Sequence, residues 1–518
     1  MSVSKARLLG VRGVTSMLLA VVAAAALAVA GCGTAPAEKE APALNLLRPN
    51  FVFILTDDLR TDDALAMPNV LDLAAKGTYF SNFIVADSRC CPSRATIFTG
   101  QLPHNSGVYT NSPPRGGNSA FVKGGAVQRT FPIALEQAGY RTGLYGKYIN
   151  GYNAGKPGIP PGWTDWGATA RAYTGFDYTL NVDGTPRQFG EQPDDYMTDV
   201  MADFGERFLT ESLTDTRPFF LELSTFAPHL PAVPAPRHVG LFPNLHAPRG
   251  PSFDQAVTDA PSWLAPRTPI NRQNRDEIDA RYRNRIRTLA AVDEMIGRIR
   301  DRVQTLGMAG NTYFIFASDN GFHLGDHRLL PGKMTAFDVD IRTPLIVVGP
   351  GVAAGQNVSA IAQNSDLAPT FQAIADAPGV TAPDGRSLVS LLRGEPAPAD
   401  WRPGALIEHL GEAKAKEKDP DAQSRAAGNP PTYHALRTAN GTYVEYENGE
   451  HEFYDRSTDP NESHNVYATL SAAEQSALSA GLAALLTCDG EAQCATATPP
   501  VRRAARAGAP GRRRAQRR

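Results

Sequence analysis

The 518-residue chain is poor in cysteine, in histidine and in net charge, with 5 Cys, 10 His and a formal charge of −2. That small charge hides an asymmetry. Arg502, Arg503, Arg506, Arg512, Arg513, Arg514, Arg517 and Arg518 contribute +8 at the extreme C-terminus, which leaves −10 for the rest. A basic footprint over the body is therefore missing, and nucleic acid is not expected as a partner. Long apolar runs are scarce too: Met17 to Ala30 falls short of the about 20 residues that a membrane-spanning helix needs. With 42% hydrophobic and 20% charged residues the chain can bury a large core, and it exceeds one average domain in length.

What is present at the N-terminus reads as an address. Lys5, Arg7 and Arg12 form a positive segment, Met17 to Ala30 an apolar one, and Val29-Ala30-Gly31-Cys32 resembles a bacterial lipoprotein cleavage box. Residues 1–31 are expected to be a signal peptide, with Cys32 then lipidated; ordinary secretion and an uncleaved anchor are the alternatives. Residues 32–48 would be a linker, and the domain that follows would be exported to the outer side of the cytoplasmic membrane. In that compartment Cys488 and Cys494 suit a short disulfide loop, while a zinc site there lacks a second ligand pair.

Along the body, strands alternate with helices. Asn50 to Leu55 is a short apolar run ending in Thr56-Asp57-Asp58, the pattern of a buried parallel strand with carboxylates at its C-terminal tip. Ligands of open α/β sheets bind beyond such tips. Thr130 and Pro132 open a helix to Ala138, and Arg141 to Tyr145 and Phe219 to Ser224 read as further strands. Residues 228–269 form a Pro-rich excursion expected to shape a site. Arg275 to Leu306 has apolar residues at helical spacing, including Ile278, Tyr282, Ile286 and Leu289, and is core. Thr312 to Ala317 is a second buried strand, ending in Ser318-Asp319-Asn320-Gly321. Asp57, Asp58, Asp319 and Asn320 offer only hard oxygen ligands, suited to Ca²⁺ or Mg²⁺. Each pair taken alone would more often be a turn or helix cap than a ligand.

Between the two tips lies Cys90-Cys91-Pro92-Ser93-Arg94-Ala95-Thr96-Ile97-Phe98-Thr99-Gly100. This segment resembles the sulfatase family of the alkaline phosphatase superfamily, whose signature is Cys-x-Pro-Ser-Arg followed four residues later by Thr-Gly. The resemblance spans about residues 48 to 470. It implies that a formylglycine-generating enzyme oxidises Cys90 to formylglycine, whose hydrate attacks the sulfur of a sulfate ester. It also implies one Ca²⁺ ion, or Mg²⁺, held by Asp57, Asp58, Asp319, Asn320 and the position-90 oxygen. Arg94 would steady the hydrated aldehyde. Lys147, in Gly146-Lys147-Tyr148, and Lys333, in Pro331-Gly332-Lys333, match the sulfate-binding lysines, and His229 matches the histidine that protonates the leaving oxygen or holds the sulfate.

Two departures stand out. Where many sulfatases carry Lys-x-His, this chain has Ile149, which leaves the base that ejects sulfate unassigned. The Lys-Tyr-x-Asn form, the double cysteine and Pro103-His104-Asn105 are similar to the branch containing N-acetylglucosamine-6-sulfatases. That branch implies a sulfated sugar as substrate, with an aryl sulfate as the broader alternative, and makes His104, His323 and His327 candidates for substrate contact. A phosphoesterase of the same superfamily, and a non-catalytic carbohydrate-binding lipoprotein, are the competing readings. The expected fold is α/β, a large mixed, mostly parallel sheet flanked by helices over residues 49–400. A smaller α+β domain with an antiparallel sheet follows at 401–496, where Thr438-Ala439-Asn440-Gly441 signals a hairpin. Residues 497–518 would be a disordered basic tail.

Overall fold

The computed structural model describes residues 48–379, 382–411 and 424–496. The expected signal peptide, the lipidated Cys32 and the basic tail lie outside the described residues.

Four parallel strands form the centre of a ten-stranded sheet: β1 (Asn50–Thr56), β2 (Arg141–Lys147), β3 (Phe219–Ser224) and β4 (Thr312–Ser318), in the spatial order β4-β1-β3-β2. Their C-terminal ends therefore share one edge. On the β4 side the sheet turns antiparallel through Leu345–Val348, and beyond β2 it ends in an antiparallel pair. The apolar run of β1 is long because both of its faces are covered. Val52 and Ile54 join one core with Ile278, Ile286, Leu289 and Ile299. Phe51, Phe53 and Leu55 point the other way, into a second core with Ile97, Phe98, Phe131 and Phe371. Alternating side chains thus build a helix-sheet-helix sandwich.

The helices α1 (Cys90–Thr99) and α2 (Arg272–Thr305) cover opposite faces. All ten residues of α1 are buried, and it stops at Gly100, whose φ of 71° a Cβ would disfavour. α2 starts three residues earlier than its apolar spacing predicts, because the Asn271 side chain accepts the Asn274 amide and caps it. A four-stranded antiparallel sheet follows (Gly404–His409, Tyr433–Thr438, Gly441–Tyr446, His451–Asp455), packed against the helix Ala472–Leu485. An ion network of Arg437, Arg456 and Glu462 ties it to Asp338, at the start of the short helix Asp338–Ile341. The expected disulfide joins Cys488 and Cys494. No helix among the described residues is long and apolar enough to cross a membrane.

Candidate active site

The strand tips and the start of α1 meet at one buried point. Cys90 is the first residue of α1, so its side chain stands at the positive end of the helix dipole. Its Sγ is 3.1 Å from Asp57 Oδ1 and 2.8 Å from Lys333 Nζ. Cys90 and Cys91 are both reduced, and the Cys91 amide donates to Asn111 Oδ1 at 3.0 Å. Arg94, one turn after Cys90 and on the same face of α1, ties three strands together. Its guanidinium donates to Asp319 Oδ2 (2.8 Å), Ser224 Oγ (2.6 Å) and the Lys147 carbonyl (3.1 Å).

Each carboxylate has a cation of its own. Lys147 Nζ is 2.5 Å from Asp57 Oδ2, Lys333 Nζ is 2.7 Å from Asp58 Oδ1, and Arg94 holds Asp319. Three anions thus face three cations at an almost fully buried point, where unpaired charge would be costly. Burial alone would raise Asp57, but Lys147, His229, Arg94 and Lys333 outweigh it and hold the carboxyl well below the usual range. Asp319 goes the other way: burial and the Asp57 charge push it up to about 6 despite Arg94 and Lys147. Asp58 has a φ of 65°, uncommon outside glycine. Arg285 Nη2 donates to its carbonyl at 2.6 Å and Asp319 Oδ1 accepts its amide at 3.2 Å, which holds it there.

β2 runs on to Lys147 rather than stopping at Tyr145, and the reason is Gly146. A Cβ there would lie 1.9 Å from the Ser224 carbonyl, so only glycine lets β2 carry Lys147 this close to β3. His229 lies beyond β3, in the loop that follows. Its Nδ1 hydrogen bonds to the Leu230 carbonyl at 2.5 Å, and Nε2 faces Asp58 Oδ2 at 3.6 Å. Lys333 sits on a loop pinned by backbone bonds between His323 and Gly332, and by Thr335 Oγ1 donating to Asp340 at 2.6 Å.

The residues fit a hard divalent cation. Ligand atoms of Asp57, Asp58, Cys90 and His229 lie within 4.8 Å of one another, with Asp319 against Asp58. Asn320 Oδ1 is buried with no hydrogen-bond partner, an oxygen that a cation would satisfy. His229 enters this cluster although the sequence places it on the substrate side.

The three histidines considered as substrate contacts, His104, His323 and His327, are committed elsewhere. His323 is held between Asp340 (2.9 Å) and the Ala427 carbonyl (2.7 Å), and His327 is buried with its ring stacked 3.9 Å from that of Phe337. His104 bridges Glu408 and the Cys488 carbonyl, each at 2.9 Å. Burial disfavours its charge, but these two acceptors push its pKa up to about 9. A raised value means that the pair stabilises fully below the unfolded pKa of about 6.5 and fades as pH rises through the folded one. The melting-temperature gap between wild type and His104→Gln is therefore expected to be widest below about pH 6.5. It should close as pH passes about 9; a gap that widens with pH would contradict this assignment.

Sequence reasoning missed Ser224, Asn111 and Arg285. Only Arg285 had left a signal: a charge on the apolar stripe of α2, fully buried, bonded to Asp63 (2.8 Å) and to Asp58. A cavity of about 300 Å³ opens from the cluster, walled by Asp58, His229, Leu230, Lys333 and the N-terminal part of α2. Of the Pro-rich excursion only His229 and Leu230 line it, and His104 does not.

Comparison with known proteins places this arrangement. The sulfatase family model matches residues 49–377, and a model described as N-sulphoglucosamine sulphohydrolase, C-terminal, matches residues 325–486. The chain is 33% identical to N-acetylglucosamine-6-sulfatase of Homo sapiens over 478 residues, covering 86% of this chain and 85% of that one. It is 32% identical to an arylsulfatase of Volvox carteri over 492 residues, 86% of this chain and 75% of the other. A solved protein in complex with its substrate D-glucosamine-2-N,6-O-disulfate superposes with a TM-score of 0.70 at 26% identity, covering 85% of this chain and 97% of that one.

Proposed function

This chain belongs to the sulfatase family and hydrolyses sulfate esters, and from that premise we propose that it desulfates N-acetylglucosamine-6-sulfate units through formylglycine made from Cys90. The observation that carries the reading is the setting of Cys90: the first residue of α1, beside Asp57 and beside Lys333, which itself lines the cavity. Oxidised and hydrated, position 90 supplies a geminal diol, one hydroxyl of which attacks sulfur while the other later expels sulfate and restores the aldehyde. Asp57, Asp58, Asp319, Asn320 and the position-90 oxygen would hold a Ca²⁺ ion, which would lower the nucleophile's pKa and neutralise sulfate charge.

The chain's own residues do the rest. Lys147 and Lys333, paired with Asp57 and Asp58, are placed to bind sulfate oxygens. Arg94 orients the position-90 hydroxyls. His229, fixed through Nδ1, presents Nε2 to the leaving oxygen and protonates it. Ile149 is fully buried in the core and supplies no base. His229 is the histidine of the described cavity lining, and it takes the proton back from the diol when sulfate leaves. Export and anchoring through a lipidated Cys32 would put this chemistry where sulfated polysaccharide is met.

The test is desulfation of N-acetylglucosamine-6-sulfate and sulfated oligosaccharides against a chromogenic aryl sulfate. Contacts away from the sulfur should raise kcat/KM for the sugar ester by roughly tenfold or more over the aryl surrogate. Good turnover of aryl sulfates with none of any sulfated sugar would leave a broad arylsulfatase instead.

A further inference from the structure

The first half of α2 forms the cavity wall away from Cys90. Asn274, Glu277 and Arg281, at helical spacing on one side of the helix, line the same cavity as Asp58, His229 and Lys333. None of the three has a part in the chemistry at sulfur.

Arg281 differs from its neighbours. α2 carries nine arginines. Arg272 pairs with Asp276, Arg275 with Asp254, Arg285 with Asp63, Arg298 with Asp203 and Glu206, and Arg300 with Asp72. Arg283 and Arg287 donate to the carbonyls of Leu245 and Leu241, and Arg302 to Thr210 Oγ1. Among the described residues Arg281 has no hydrogen bond or ion pair. Its natural partner would be Glu277, one turn earlier in the favourable Glu-before-Arg order. Glu277 is instead hydrogen-bonded to Gln273 at 3.2 Å. A guanidinium left unpaired in a cavity wall, with five donors in a planar fork, matches sulfate or carboxylate oxygens.

Resting on the sulfated-sugar reading, we infer that Arg281 receives a second anionic group of the substrate, a sulfate or carboxylate carried by the reacting sugar or by the sugar next to it. Glu277 and Asn274 flank that group and take hydroxyl or amide hydrogens, so the wall reads an anion and a donor side by side. The cavity then favours doubly anionic esters over the plain sugar sulfate.

The mature full-length enzyme tests this with three esters: N-acetylglucosamine-6-sulfate, glucosamine-2-N,6-O-disulfate, and a disaccharide linking a uronic acid to N-acetylglucosamine-6-sulfate. The wild type should prefer one of the two doubly anionic esters, and which one it prefers tells an anion on the same ring from one on the neighbour. In Arg281→Ala the ratio of kcat/KM for that ester to kcat/KM for the singly charged one should fall by about tenfold, mainly through KM. Arg281→Lys should recover part of it. The preference should weaken with salt. An unchanged ratio in Arg281→Ala, or a wild type blind to the second charge, overturns the inference while the sugar reading stands. Turnover of an aryl sulfate with no sugar ester cleaved sinks both together.

Discussion

Cys90→Ser and Cys90→Ala are each expected to lose sulfatase activity by about 10⁴-fold or more while remaining folded, the scale set by removing a catalytic nucleophile. The folded part follows from the packing. Position 90 is the first residue of α1, so no intrahelical donor is lost, and a serine hydroxyl can keep the bonds to Asp57 and Lys333. The chemical part follows from what each side chain can do after the first attack. A serine can be sulfated but has no second hydroxyl with which to expel the sulfate, so it stalls. Trypsin should release residues 90–94 as one peptide. In active wild type that peptide should have gained one oxygen and lost one sulfur and two hydrogens. Circular dichroism and melting temperature report on folding. Full turnover by protein whose peptide keeps the intact thiol would refute the assignment.

Much of this was legible in the sequence because the informative residues sit where local pattern and global position coincide. The runs Phe51–Leu55 and Thr312–Ala317 are apolar enough to be central strands, and a central parallel strand delivers its last residues to the ligand edge of the sheet. That rule put Asp57, Asp58, Asp319 and Asn320 at strand tips, and the Cys90 signature between them decided that the two tips share one site. What pattern could not give was the second partner of each group. That Lys147 would meet Asp57 and Lys333 would meet Asp58 depends on strand order and on one loop conformation. His104 shows the limit from the other side. It was a substrate candidate through the resemblance of Pro103-His104-Asn105 to the N-acetylglucosamine-6-sulfatase branch. Glu408, some three hundred residues on, and the Cys488 carbonyl occupy both ring nitrogens. Arg281 was likewise hidden, since an arginine on a helix rich in arginine looks like a solvated face until its neighbours are seen to be paired.

Stripping the protein with a strong chelator should abolish turnover by about 10³-fold or more, with Ca²⁺ restoring it and Mg²⁺ restoring less, because Lewis-acid charge at the nucleophile is worth several kcal/mol. The fold should survive. Without a cation Asp57, Asp58 and Asp319 remain paired with Lys147, Lys333 and Arg94, so the cluster is formally balanced. Adding a divalent ion makes it net positive, the right polarity for a sulfate and for charge that grows on the leaving oxygen. Ca²⁺ is favoured over Mg²⁺ because three carboxylates, an amide and the position-90 oxygen reach its six to eight ligands, while Mg²⁺ demands a tighter octahedron. Binding also offers a readout independent of catalysis. Ca²⁺ at about a hundred times its Kd should stabilise the folded state by about 2.7 kcal/mol, seen as a rise in Tm. Asp57→Ala and Asp319→Ala should lose both the activity and the Ca²⁺-dependent rise. Elemental analysis of active protein should give one ion per chain. Undiminished activity in protein shown to be metal-free would defeat this account of the site.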